Sequence, residues 1–127
     1  MNNIAGWCFR MAVIYALFGM VMGEVMAATG DHGLMPVHSH INLLGWVSLA
    51  LFGAFYKLWP ETAEGSLPGL QFGLFNAGIV IQSIGVTLIL TSGDEAERYA
   101  SVAAGGSAFL ILGMLLFGFL VYRNTRE

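Results

Sequence analysis

Four long apolar stretches alternate with short polar connections. Asp, Glu, Lys and Arg are absent from 32–56, from 65–93 and from 99–122, and the first stretch, 11–29, holds only Glu24. An apolar run of about 20 residues, rising about 1.5 Å per residue, crosses the hydrocarbon of a bilayer. The pattern therefore predicts membrane-spanning helices near 11–29, 36–58, 68–91 and 99–122. Asp31, Pro60, Glu61, Glu64, Asp94, Glu95 and Glu97 fall between the runs, and Pro36 and Pro68 suit the first turn of a helix, where no backbone donor is lost. Connections this short make consecutive helices antiparallel neighbours. The expected fold is all-α, one transmembrane domain over 1–127 forming a four-helix antiparallel bundle.

Four spans put both termini on one side, with the second connection. Arg10, Lys57, Arg123 and Arg126 lie on that side and Arg98 on the other, so the positive-inside rule makes the termini cytoplasmic. Trp7, Tyr56, Trp59 and Tyr122 fall at the same ends, where amphipathic rings favour the interface. A bacterial inner membrane is the expected location. Val25-Met26-Ala27 before Ala28 loosely imitates a signal-peptide cleavage site. Glu24 suits such a segment badly, and a retained first span is expected.

Composition narrows the function. The chain is 57% hydrophobic and 10% charged, against about a quarter charged in soluble domains. A net charge of −3 with five scattered basic residues excludes a nucleic-acid partner. The single cysteine, Cys8, allows no intrachain disulfide and no covalent haem attachment. No serine, cysteine or paired-carboxylate constellation suggests a hydrolase.

All three histidines fall in Asp31-His32-Gly33-Leu34-Met35-Pro36-Val37-His38-Ser39-His40. If Pro36 opens the second helix, His38 and His40 lie in its first turn and a half, with rings about 200° apart, so they serve two sites on opposite sides of one helix. Ionisable groups at membrane depth are costly and mark function. Glu24, at similar depth, is a candidate to accept a ring N–H from a ligating histidine; His32 sits in a polar connection. Met20, Met22, Met26 and Met35 lie nearby, as packing residues or soft metal ligands. Asn42, Asn76, Gln71, Gln82 and Ser83 are expected to form interhelical hydrogen bonds, and Gly19-x-x-x-Gly23 and Gly69-x-x-x-Gly73 to mark close helix contacts.

The string His38-Ser39-His40-Ile41-Asn42-Leu43-Leu44-Gly45-Trp46 resembles the second helix of haem-copper oxidase catalytic subunits, in particular nitric oxide reductases and cbb3-type oxidases, and small stand-alone proteins like their subunit I. The resemblance implies haem b near the outer face, ligated by His38 and His40, with Asn42 and Gly45 of the same string beside it; Glu24 is the candidate acceptor named above, and Arg98, the only basic residue on that side, is expected near the propionates. It also implies a homotrimer, three four-helix chains rebuilding twelve spans, with His38 of one copy and His40 of the next sharing a haem. The chain lacks the superfamily's adjacent His-His copper ligands, so a complete oxidase is not expected. The leading expectation is a membrane haem protein that carries electrons or binds NO or O₂. The alternatives are a copper- or zinc-handling protein using His32, His38 and His40, and a structural subunit without cofactor.

Overall fold

The computed structural model describes residues 3–125; Met1 and Arg126 are outside that range. Four helices long and apolar enough to cross a membrane make up the chain: α1 (Ile4–Thr29), α2 (Met35–Leu58), α3 (Leu67–Thr91) and α4 (Ala100–Asn124), the last entered through a 3-10 segment, Gly93–Tyr99. Among the described residues there is no strand. The fold is an all-helical, four-helix membrane bundle.

Helix α1 starts ahead of the expected residue 11. The Asn3 side chain accepts from the Gly6 N–H at 3.1 Å and caps the first turn. Arg10 does not break the helix, because its guanidinium folds over the Trp7 ring, 5.1 Å from the centroid. The helix stops at Gly30, whose φ of 71° turns the chain left-handed and lets its N–H reach the Met26 carbonyl at 2.9 Å.

Helix α2 is α-helical over Met35–His40, widens to a π-helix over Ile41–Ser48 and returns to α-helix over Leu49–Leu58. The Ser48 hydroxyl donates to the Leu43 carbonyl at 2.9 Å, five residues back. Nothing in the apolar pattern distinguishes this segment. π-Segments cluster at functional sites, and this one lies directly below the histidines.

The helices pack as two hairpins. Between α3 and α4 small residues let the backbones touch: Gly85 faces Ala103, Gly106 faces Gln82, Gly78 faces Leu110 and Gly113 faces Phe75. Between α1 and α2, Gly23 makes room for His38, Gly19 for Asn42, Gly45 for Tyr15 and Gly53 for Cys8. The Gly19/Gly23 pair thus marks a contact, whereas Gly69 and Gly73 face open space. Because lipid is as apolar as leucine, such close fit and interhelical hydrogen bonds hold membrane helices together. Tyr15 accordingly donates to Asn76 at 3.2 Å and Tyr56 to fully buried Gln71 at 3.0 Å.

At the end of the bundle that carries the termini, α2 and α4 meet through aromatic rings. Phe52 lies 4.3 Å from Phe117 and 4.9 Å from Phe75, centroid to centroid, and Phe55 stacks on Trp59 at 5.0 Å. Towards the opposite, distal end a groove separates α2 from α4. The outward surface is apolar: Leu17, Phe18, Val21, Leu51, Leu115 and Phe119 are all exposed, as lipid-facing positions should be.

Candidate functional site

His38 and His40 lie in the regular α-turns of Met35–His40, so their rings leave α2 in different directions. His38 turns towards α1: its Cε1 is 3.1 Å from where a Cβ on Gly23 would stand. Asn42, one turn below, donates to the His38 carbonyl at 3.0 Å, and its amide nitrogen lies 3.3 Å from both ring nitrogens. His38 sits partly buried in the α1–α2 seam, between Gly23 and Asn42.

His40 turns the other way, into the groove between α2 and α4. Its Nδ1–H donates to the Pro36 carbonyl at 2.6 Å. That bond fixes the tautomer and leaves Nε2 with a free lone pair, an acceptor aimed away from its own helix. The groove has a volume of about 460 Å³ and is lined by Ser39, His40, Leu43 and Leu44 of α2, Gln82 of α3, and Ser107, Leu110 and Ile111 of α4. That volume lies within the ~300–1,000 Å³ usual for small-molecule sites. On the wall opposite His40, Gln82 donates to the Ser107 hydroxyl at 2.8 Å and Ser107 donates to the Ala103 carbonyl at 3.1 Å. The Gln82 Oε1 and the Ser83 hydroxyl are buried without a hydrogen-bond partner among the described residues. Such groups are costly at membrane depth.

The other expected site residues are scattered. Gly45 packs on the Tyr15 ring in the α1–α2 seam. Glu24 lies on the exposed face of α1, among Leu17, Met20, Val21, Val25 and Ala28. Arg98 pairs with Glu95 at 3.1 Å, both side chains well exposed, in a contact of little energetic weight. His32 is exposed in the distal connection, its Nδ1 3.1 Å from the Gly30 carbonyl. Among the described residues no three His, Cys, Asp or Glu side chains converge as a metal site would require. Sequence reasoning missed the groove because its far wall comes from Gln82 and Ser107, on helices distant in the chain; the signal within reach was the pair of polar residues in otherwise apolar runs.

These features define a class: a helical membrane protein with a small, partly polar groove opening sideways at the depth of its histidines. Over 114 residues the chain is 30% identical to a probable ethanolamine permease, EutH, of Listeria monocytogenes serotype 1/2a (strain 10403S), a stretch that makes up 80% of this chain and 31% of the permease. The chain thus corresponds to about a third of that relative's length. No family model matches the sequence, and no solved structure matches it.

This similarity corrects the expectation drawn from the string around His38. A likeness that runs along four-fifths of the chain is to a permease, whereas the oxidase resemblance rested on nine residues of one helix end. The reading as a haem protein for electron transport or gas binding, the oxidase-like assignment and the copper- or zinc-handling alternative are withdrawn with it. For the copper or zinc alternative the geometry adds a physical reason: among the described residues His32, His38 and His40 do not converge on one point.

Proposed function

We propose that this chain is a solute-transporting unit of a bacterial inner membrane, and that the solute is a small amino alcohol of the ethanolamine kind held in the groove between α2, α3 and α4. The similarity to a probable ethanolamine permease over 114 residues carries the reading, and its bacterial source supports the location. The groove offers suitable chemistry. With Nδ1–H engaged by Pro36, the His40 Nε2 accepts an N–H from the amine. On the facing wall the Ser107 oxygen, which accepts from Gln82 and donates to Ala103, keeps a lone pair for a solute hydroxyl. Leu43, Leu44, Leu110 and Ile111 suit the carbon chain between them.

Calorimetric titration of ethanolamine into the protein in lipid nanodiscs tests this. Saturable binding is expected, weakened about tenfold or more by His40→Leu, since a hydrogen bond to a charged group is worth about 1.5–3 kcal/mol. His32→Leu, in the exposed connection, should bind as the unaltered chain does. Absence of binding, or equal loss in both variants, would overturn the proposal.

A further inference from the structure

Beside the buried amide and hydroxyl groups of Gln71, Gln82 and Ser83, two ionisable groups at membrane depth lack partners among the described residues, and they match. Glu24 stands on the outward face of α1 and makes no hydrogen bond or ion pair with any described residue; the one ion pair among those residues is Arg98–Glu95. The His40 Nε2 stands free in the groove between α2 and α4. Glu24 is five residues from the distal end of α1 at Thr29, and His40 is five residues from the distal end of α2 at Met35. Both therefore lie about 7.5 Å below the same end of the bundle at ~1.5 Å per residue.

We infer that a second copy of this chain covers the groove, laying the Glu24 face of its α1 against α2 and α4 so that Glu24 meets His40. The chemistry is complementary. The imidazole Nε2 and a carboxylate are both acceptors, and one proton between them turns the two into a hydrogen-bonded pair, either as carboxylic acid on imidazole or as imidazolium on carboxylate. The surroundings fit as well: Leu17, Met20, Val21, Val25 and Ala28 flank Glu24 with apolar surface, and Leu43, Leu110 and Ile111 offer the same around His40. Each copy carries both halves of the contact, so it closes either reciprocally, as a two-fold dimer with Glu24 meeting His40 twice, or head to tail, as a larger ring. It does not depend on the identity of the solute. The pair describes the groove without solute; an amine entering it takes the place of the shared proton, its N–H groups donating to the His40 Nε2 and to the carboxylate, which supplies counter-charge.

Two measurements on the full chain in nanodiscs or mild detergent, without solute, test the interface. Native mass spectrometry should find a closed assembly of two or more copies. Glu24→Leu, which removes no packing because the side chain faces outward, should make the assembly fall apart at an about tenfold higher protein concentration than the unaltered chain, the weight of one polar interhelical contact. Val21→Cys and Leu43→Cys chains, matched in depth at eight residues from Thr29 and from Met35, should give a mixed disulfide on oxidation when combined; the native Cys8 is fully buried and does not compete. A monomer, unchanged assembly in Glu24→Leu, or self-linking of Leu43→Cys in place of mixed linking would overturn the inference.

Discussion

Replacing Gly106 by alanine should destabilise the bundle, whereas the same change at the adjacent Gly105 should not. A Cβ on Gly106 would stand 2.6 Å from the Cα of Gln82 and closer still to its backbone nitrogen, and ordinary contact begins near 3.4 Å, so α3 must recede by at least about 0.8 Å. Gln82 meets it with backbone, which cannot swing aside as a side-chain tip can. The recession would also loosen the close approaches of Gly85 to Ala103 and Gly113 to Phe75, contacts of the same helix pair. Overpacking of this kind costs about 1–3 kcal/mol. At Gly105 a Cβ meets nothing within 4 Å. Both changes gain the same helix propensity, about 0.5–1 kcal/mol, so that contribution cancels between them and the difference of about 1–3 kcal/mol reports the α3–α4 approach alone. Reversible unfolding by sodium dodecyl sulfate in mixed micelles, followed by circular dichroism, reads the two midpoints. Equal midpoints, or a Gly106→Ala protein more stable than Gly105→Ala, would refute the close backbone contact.

Tyr56→Phe removes the bond to Gln71, whose Nε2 already lacks a partner among the described residues, and leaves the whole buried amide unsatisfied. The expected loss is about 1–3 kcal/mol in the same unfolding assay, largely recovered in the double variant Tyr56→Phe/Gln71→Leu. Reporter fusions after Asn124 and within Pro60–Ala63 should both read cytoplasmic, given Arg10, Lys57 and Arg123 at those ends; a signal from outside at either position would reverse the orientation.

The four spans were legible in the sequence because lipid enforces contiguous apolar runs: charges gather at the connections and helix ends, with Glu24 the exception within a predicted span. The divergence of His38 and His40 was legible for a similar reason, since 100° per residue holds wherever the helix is regular, as it is over Met35–His40. The π-helix over Ile41–Ser48 was not, because its apolar residues fit an α-helix equally well. The start of α1 was misplaced because Arg10 reads as a boundary, whereas its side chain lies along Trp7 and leaves the backbone helical. The string around His38 misled about function because proline at a helix start and histidines near an interface meet local demands that unrelated membrane helices share. The groove was hidden because Gln82 and Ser107 reach His40 only through the pairing of α3 with α4.

Uptake of labelled ethanolamine into proteoliposomes bears most directly on the transport reading and on the place of His40 in it. Vesicles carrying the unaltered chain should accumulate label in exchange against internal ethanolamine, while His40→Leu vesicles, loaded with equal amounts of folded protein, should fall to the level of empty vesicles. Uptake by His40→Leu equal to that of the unaltered chain, or no exchange by either, would contradict it.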